Sequence, residues 1–122
     1  MEITSTLATE FVRLVRPDGR VVCERCLVAA RPLRRMRGLL GRRDLPQGEG
    51  ILLRPAGSIH TFFMRFSIDV VFLSEAGVVL CIAAAVRPWR IAVCRGARSA
   101  LELAAGESER HGLEVGQTLV AA

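Results

Sequence analysis

The sequence has no lysine, no tyrosine and no asparagine. Without lysine, the chain cannot be a Schiff-base enzyme and cannot carry a phosphate-binding loop that ends in Gly-Lys-Ser/Thr. Without tyrosine, phenolic acid–base chemistry is excluded. The Gly-x-Ser-x-Gly and His-Glu-x-x-His motifs are also missing, and these are the signatures of α/β-hydrolases and of zinc proteases. The missing residue types and motifs therefore exclude several classes of enzyme, and they do not exclude a binding function.

Long apolar stretches are missing as well. The longest one, residues 76–86, is about half as long as the roughly 20 residues that a bilayer span needs. Residues 1–16 lack the basic start, the continuous apolar core and the small-residue cleavage site of an export signal. We therefore expect a cytoplasmic protein with no transmembrane segment. Because the cytosol keeps thiols reduced, we expect the four cysteines to be free and to form no disulfide framework.

All 17 basic residues are arginines, against 12 acidic residues, which gives a net charge of +5. The excess is concentrated in residues 31–43, a segment that includes Arg37 and has no acidic residue. Such a cluster can attract phosphate groups or acidic protein surfaces. We favour a solvated helix face, because no recognised nucleic-acid motif interleaves aromatic residues with these arginines. We do not expect a nucleic-acid partner, and binding of nucleic acid through this helix is the weakest functional alternative.

Local signals predict one mainly β domain over residues 1–122. The Pro-Asp-Gly sequence at 17–19 predicts a hairpin, because proline fixes one dihedral angle and glycine accepts a positive φ. Apolar residues three and four apart predict a helix over 32–40. The density of short strands indicates a compact single-domain β-barrel or sandwich-like fold with one or two short helices. The other predicted elements are strands at 11–15, 21–29, 50–53, 61–64, 70–73, 78–85, 91–94 and 101–103, a short turn of helix at 107–113, and a last strand at the C-terminal end.

Several short motifs follow one another along most of the chain. They are Leu39-Leu40-Gly41-Arg42 to Leu45-Pro46, Gly50-Ile51-Leu52-Leu53, His60-Thr61-Phe62-Phe63-Met64-Arg65, Ile68-Asp69-Val70-Val71-Phe72-Leu73, Gly77, and Leu101-Glu102-Leu103-Ala104-Ala105-Gly106. In this order and spacing, the chain resembles the domain-of-unknown-function 192 family over about residues 23–120. The resemblance implies a compact, mainly β, barrel-like domain with one or two short helices, and no established catalytic activity, cofactor or partner.

The sequence departs from the family pattern at three positions. Phe63 stands where the pattern has tryptophan, Leu40 replaces a methionine, and Phe66 stands where an amide side chain is usual. A polar site built on that amide is therefore absent from this chain.

Cys23 and Cys26 have the spacing of half a zinc site or of a redox dithiol. They lie in a predicted strand, where residues three apart point to opposite faces. Both uses need a turn around the sulfurs, but no glycine or proline lies between the two cysteines. Cys81, Cys94 or His60 could complete a metal site from elsewhere in the chain. We interpret Cys23 and Cys26 as small buried apolar residues and expect the protein to need no metal or cofactor.

His60, Arg65 and Asp69 form a second candidate site. A His/Asp pair with Cys94 or Ser58 would make a nucleophilic set only if the fold brings them together. The alternative function is therefore an enzyme that acts on a small or carbohydrate-like substrate in a cleft around His60, Arg65 and Asp69. We favour a structural role for Asp69, as an acceptor of backbone hydrogen bonds at the strand entrance or as the ion-pair partner of Arg65.

The only tryptophan, Trp89, lies between Arg87 and Arg90. An exposed aromatic residue flanked by guanidinium groups suits the docking of a protein, carbohydrate or nucleotide. An equally weighted alternative is a lid that closes one end of the barrel, with Trp89 half-buried. Glu102 alternates to the opposite face from its leucine neighbours and is a candidate partner for an arginine.

The function that we favour is a binding or accessory module without catalytic activity. Its partner is an unknown protein or a small-molecule ligand, and the sequence does not define an oligomeric state. The candidate binding surface comprises Arg37, His60, Met64, Arg65, Asp69, Arg87, Trp89, Arg90 and Glu102.

Overall fold

The computed structural model describes residues 10–29 and 44–122. The fold is mainly β, as the sequence predicts, and the described residues contain one short helix. The predicted hairpin is confirmed, because β1 and β2 pair antiparallel around residues 16–20. The predicted helix over 32–40 and Arg37 lie outside the described residues. The elements are β1 (Glu10–Val15), β2 (Val21–Ala29), β3 (Glu49–Leu53), β4 (Ser58–His60), β5 (Ile68–Leu73), β6 (Val79–Val86), β7 (Ile91–Val93), β8 (Ser99–Ala104), α1 (Glu107–Arg110) and β9 (Val120–Ala121).

Seven strands form one sheet in the order β6-β5-β8-β3-β2-β1-β9, and β4 and β7 form a separate two-stranded sheet. Strands β2 and β3 are parallel. The larger sheet curls into a half-barrel. Its two ends meet at one point, where Val78 bridges to Thr118 and the Val79 N–H donates to the Gln117 carbonyl at 2.8 Å. The predicted barrel is therefore only partly closed.

Gly77 is required where the two ends of the larger sheet meet. Its φ is +88°, in the left-handed region that favours glycine. A Cβ atom at this position would lie 2.6 Å from the Leu119 carbonyl oxygen. The Leu119 N–H donates to the Gly77 carbonyl at 2.9 Å, so the two backbones approach closely at this point.

Apolar side chains form two cores, one on each face of the larger sheet. Along β5, alternate residues enter different cores, and all six residues are buried. This explains why β5 reads as a continuous apolar run, which is typical of a strand covered on both faces. The inner core contains Leu14, Val22, Cys23, Cys26, Leu52, Val71, Leu73, Val79, Leu101, Leu103, Leu113 and Leu119. The outer core contains Ala29, Leu45, Ile51, Leu53, Ala56, Ile59, Met64, Ile68, Val70, Phe72, Cys94, Ala97 and Ala100.

The predicted strand at 61–64 is wrong. The strand in this region is β4, which ends at His60, and the following residues form a turn. The cause is Thr61, whose hydroxyl and backbone groups bond to the loop at 87–90 and not to a neighbouring strand. The hydrogen bonds of Thr61 to this loop thus form in place of the bonds of a β ladder, as is common for hydroxyl residues in turns.

The expectation of four free thiols is wrong for Cys81 and Cys94, which form a disulfide. Cys81 lies in β6 and Cys94 follows β7, and their Cα atoms are 6.2 Å apart. The bond therefore joins an edge of the larger sheet to the smaller sheet. Only the tertiary fold brings these two strands together, so the sequence could not reveal the pair. Cys23 and Cys26 are free, as predicted.

Candidate functional site

An exposed apolar surface lies on the smaller sheet and the loops beside it. We call it the Trp89 surface. Its members are 55–69% exposed, whereas most large apolar side chains of the described residues are buried. Contiguous exposed apolar residues on a small protein mark a binding site more often than isolated ones do. The Trp89 surface consists of Phe63, Trp89, Ile91 and Val93.

Ring contacts connect the members of the Trp89 surface. The Trp89 ring lies 4.6 Å from the Phe63 ring and 5.5 Å from the half-buried Phe62 ring, measured between centroids. Phe62 stacks on His60 at 4.7 Å. His60 is the cross-strand neighbour of Ile91, so the aromatic residues continue directly onto the exposed face of β7.

Thr61 holds the two loops that present these rings. Its hydroxyl donates to the Arg87 carbonyl at 2.6 Å and accepts from the Arg90 N–H at 2.9 Å. Its carbonyl accepts from the Trp89 N–H at 3.0 Å and from the Met64 N–H at 3.2 Å. Thr61 is fully buried, so these bonds lie in a protected site. The sequence analysis missed Thr61, because its partners lie 26 to 29 residues away along the chain.

The backbone at the two most prominent rings is strained. Phe63 has φ +67° and Trp89 has φ +66°, although neither is glycine. Such conformations cost on the order of 1 kcal/mol or more each, and they persist only where the surrounding structure enforces them. The hydrogen bonds through Thr61 supply that enforcement on both sides.

Arginines are frequent in the two chain segments that carry the Trp89 surface. The segments 58–65 and 87–98 contain Arg65, Arg87, Arg90, Arg95 and Arg98 and no acidic residue. All five arginines are exposed. Trp89 is itself 55% exposed, so about half of the residue is open to a partner.

Asp69 lies elsewhere, buried at the start of β5. Its Oδ1 accepts from the Ala85 N–H at 2.8 Å. Its Oδ2 accepts from the Gly106 N–H, the Ser108 N–H and the Ser108 hydroxyl at 3.1, 2.9 and 2.6 Å. In the described part of the chain, no ion pair joins Asp69 to Arg65. Backbone groups therefore hold the carboxylate, and the alternative ion pair with Arg65 is not formed.

The enzyme alternative requires His60, Arg65 and Asp69 to surround one cleft. Within residues 10–29 and 44–122, no hydrogen bond joins His60 or Arg65 to Asp69. His60 is exposed and its Nδ1 accepts from the Phe62 N–H at 3.2 Å. Met64 and Glu102, two other candidates, are buried below the surface.

A second polar cluster ties α1 to the first hairpin. Glu107 is buried and lies 3.0 Å from an Arg110 guanidinium nitrogen and 3.2 Å from His111 Nε2. The Arg16 guanidinium donates to the His111 carbonyl at 2.8 Å and pairs with Asp18 at 3.1 Å. No motif in the sequence indicates this cluster, because its residues come from opposite ends of the chain. Its contacts connect α1 to the turn between β1 and β2.

Cys23 and Cys26 lie side by side in the inner core, and the expectation that they point to opposite faces is wrong. Val12 pairs with Cys26 and Leu14 pairs with Cys23, so β2 has one residue more than β1 between these pairs. This β-bulge shifts the alternation by one residue and turns both thiols to one face. A hydrogen bond from Cys26 lowers the pKa of the Cys23 thiol, and the same bond together with burial raises the pKa of Cys26.

Over the described ranges, no three His, Cys, Asp or Glu side chains are grouped so that they could hold a metal ion. In those same ranges, no helix has the length and apolar character of a membrane span.

Comparison with known proteins finds one family and two solved structures with a similar fold. A model of the DUF192 family, described as "Uncharacterized ACR", matches residues 14–121, close to the range of the resemblance. A Sinorhizobium meliloti 1021 protein, described as a proposed transcription regulator, has 27% identity and a TM-score of 0.79, over 93% of this chain and 94% of that chain. A protein of unknown function from Novosphingobium aromaticivorans DSM 12444 has 22% identity and a TM-score of 0.78, over 92% and 84%, which shows the fold alone. No curated protein sequence matches the chain significantly.

Proposed function

The chain belongs to the DUF192 family, and we propose that it is a non-catalytic binding module whose recognition surface is the Trp89 surface. The observation that carries this proposal is the strained, enforced backbone at Phe63 and Trp89. Residues in such conformations cluster at binding and switch sites, because a fold that needed only stability would relax them. Here the strained backbone conformation presents the rings of Phe63 and Trp89 to solvent.

The chemistry of the Trp89 surface favours an acidic protein segment with apolar side chains. Aromatic residues and arginine are the side chains most enriched at the energetic centres of protein interfaces. The segments 58–65 and 87–98, which carry this surface, contain arginines and no acidic residue, so their charge is complementary to an acidic partner. The exposed face of β7 extends the apolar contact beyond the rings.

The geometry gives less support to the enzyme alternative. Asp69 is buried and already accepts four hydrogen bonds, which leaves little capacity to act as an acid or base. His60 is exposed and is oriented by the aromatic stack.

The test is selection of random displayed peptides on the immobilised protein, followed by affinity measurement of synthetic copies. We expect selected peptides that are rich in acidic and apolar residues. The Trp89→Ala and Ile91→Ala variants should each bind them at least tenfold more weakly, as expected for hot-spot residues. The matched control is Val115→Ala, which removes an equally exposed apolar side chain outside the Trp89 surface.

Three results would overturn the proposal: selected peptides with no excess of acidic residues, unchanged affinity in Trp89→Ala, or equal losses in Val115→Ala. A mixed-sequence oligonucleotide is included because the Sinorhizobium meliloti protein is described as a proposed transcription regulator. Submicromolar oligonucleotide binding at about 0.15 M salt that is lost in Trp89→Ala would assign the surface to nucleic acid instead.

A further inference from the structure

A cleft opens at the end of the inner face where β3 and β5 end and β8 begins. Its mouth is a cavity of about 370 Å³ and adjoins a second cavity of about 270 Å³. The two cavities share Arg54, Ser74, Glu75 and Ser99. The mouth is also lined by Pro55 and Arg98, and the second cavity by Glu10, Val12, Leu14, Val28, Leu52, Leu73, Gly77, Leu119 and Ala121.

The two cavities differ in chemistry. The second one is lined mainly by aliphatic side chains of the inner core and its border, from β1, β2, β3 and β5. The mouth carries two guanidinium groups, two hydroxyl groups and the Glu75 carboxylate, which leaves a net positive charge, and Glu10 also lines the second cavity. A continuous cleft with a cationic mouth and an aliphatic interior is complementary to an amphipathic anion.

Ser99 lines both cavities, so its hydroxyl lies where they adjoin. The residue is 6% exposed, and within the described ranges its hydroxyl forms no hydrogen bond. A serine hydroxyl can both donate and accept a hydrogen bond. It is therefore a polar group to which a molecule in the cleft can bond.

Arg54 and Arg98 flank Ser99, and their backbones are held in place. The Arg98 N–H donates to the Leu73 carbonyl at 2.8 Å, and the Arg54 N–H donates to the Ala29 carbonyl at 3.1 Å. Among the described residues, neither guanidinium group forms an ion pair, although Glu75 also lines the mouth. The two cations are therefore available to a ligand and mounted on strand ends.

Ser74 adds a second hydroxyl to the mouth. Its Oγ accepts from the Val78 N–H at 3.1 Å, which leaves the hydroxyl proton free to donate. Two guanidinium groups and two hydroxyl donors match the acceptor oxygens of a carboxylate.

We infer that this cleft binds a small aliphatic carboxylate, with its charged end between Arg54 and Arg98 and its chain among the inner-core side chains. The site is separate from the Trp89 surface and does not depend on the proposed function. Ser99 is the residue that joins the two halves of the site.

The test is calorimetric titration with acetate, butyrate and hexanoate, with hexanol and hexylamine as uncharged and cationic probes. Affinity should rise about fourfold per added methylene group, because each one leaves water for the aliphatic cavity. Hexanol and hexylamine should bind at least tenfold more weakly than hexanoate. Equal binding of the three six-carbon compounds, or no dependence on chain length, would overturn the inference.

Variants test the assigned residues. Arg98→Gln should weaken hexanoate binding at least tenfold, and Ser99→Ala should weaken it severalfold. Glu75→Gln should strengthen binding, because it removes a negative charge from the mouth. The matched control is Arg95→Gln, which removes an exposed arginine that does not line the cleft. Unchanged binding in Arg98→Gln, or an equal loss in Arg95→Gln, would contradict the site, provided that each variant keeps the wild-type thermal unfolding midpoint.

Discussion

The Ser108 hydroxyl donates a 2.6 Å hydrogen bond to Asp69 Oδ2, across 39 residues of sequence. The same oxygen accepts from the backbone N–H groups of Gly106 and Ser108 at the start of α1. Because the residue that precedes α1 is glycine and has no side chain to cap the helix, Asp69 performs this task from β5. Its other oxygen binds the Ala85 N–H, where β6 has φ +52°. One buried carboxylate thus fixes α1 and a bend of β6 to the same strand.

Replacing Asp69 by alanine should lower the free energy of unfolding by about 2–4 kcal/mol, because four donors lose their acceptor in a buried site. Asp69→Asn should recover part of this loss, since its single carbonyl oxygen can serve one side of the site. Denaturant unfolding measures both values. Wild-type stability in Asp69→Ala would contradict the structural role and make Asp69 the first residue to examine as an acid or base.

Two variants serve as controls for Asp69. Arg65→Gln should leave stability within about 0.5 kcal/mol of wild type, because Arg65 is exposed and forms no ion pair with Asp69. Ser108→Ala should cost about 1 kcal/mol, which corresponds to one hydrogen bond. A loss in Arg65→Gln as large as that in Asp69→Ala would restore the ion-pair interpretation.

Thr61→Val keeps the shape of the side chain and removes its hydroxyl. We expect a loss of about 1–3 kcal/mol, because the Arg87 carbonyl and the Arg90 N–H lose their partner on the buried Thr61 side chain. The loop at 87–90 should also loosen, which shifts the fluorescence of Trp89, the only tryptophan. Thr118→Val is the control, because among described residues its hydroxyl forms no hydrogen bond. An unchanged emission spectrum in Thr61→Val would show that Thr61 does not hold the Trp89 ring.

The parts of the fold that the sequence predicts correctly have local causes. The hairpin at 16–20 follows from the turn residues Pro17, Asp18 and Gly19. The buried strand β5 follows from its apolar run, and the turn before β6 follows from residues 74–77. These signals depend on neighbours in sequence, so no tertiary information is needed to find them.

The parts that the sequence does not predict depend on distant partners. Residues 61–64 have the composition of a strand, and only the bonds from Thr61 to the loop at 87–90 make them a turn. The β-bulge that brings Cys23 and Cys26 together contains no glycine, so no residue in this segment indicates a bulge from the sequence. Of the two proposed sites, the one at Trp89 could be predicted because tryptophan occurs once in the chain, whereas the cleft around Ser99 is built from residue types that are common throughout the chain.

The Cys81–Cys94 disulfide should contribute about 3 kcal/mol to stability, since it closes a loop between cysteines 13 residues apart. Denaturant unfolding with and without dithiothreitol measures this difference. In the Cys81→Ala/Cys94→Ala double variant, dithiothreitol should not change the free energy of unfolding, because no disulfide is left to reduce. Because such bonds are typical of oxidising compartments, the bond conflicts with the expected cytoplasmic location. Alkylation of the denatured, unreduced protein should modify two of the four cysteines, and modification of all four would contradict the bond.

The free thiols should control stability at alkaline pH. Burial and the hydrogen bond to Cys23 raise the pKa of Cys26, so Cys26 keeps its proton in the folded chain when the unfolded chain loses it. The lowered pKa of Cys23 makes stability rise with pH up to about pH 8.5, and above that pH this contribution is constant because the unfolded thiol is itself ionised. Above that pH the folded state binds one proton more than the unfolded state. The free energy of unfolding should therefore fall by about 1.4 kcal/mol per pH unit.

The composition makes this alkaline measurement unusually clean. With no lysine and no tyrosine in the chain, and with Cys81 and Cys94 bonded, Cys23 and Cys26 are the side chains that titrate between about pH 8.5 and 11. Urea unfolding at several pH values in this window, with the disulfide verified by mass spectrometry, gives the slope. The control is the Cys23→Ala/Cys26→Ala double variant, because in Cys26→Ala alone the remaining thiol would lose its hydrogen bond and also resist ionisation. A flat wild-type profile, or a slope that persists in the double variant, would show that the buried thiol pair does not hold this proton.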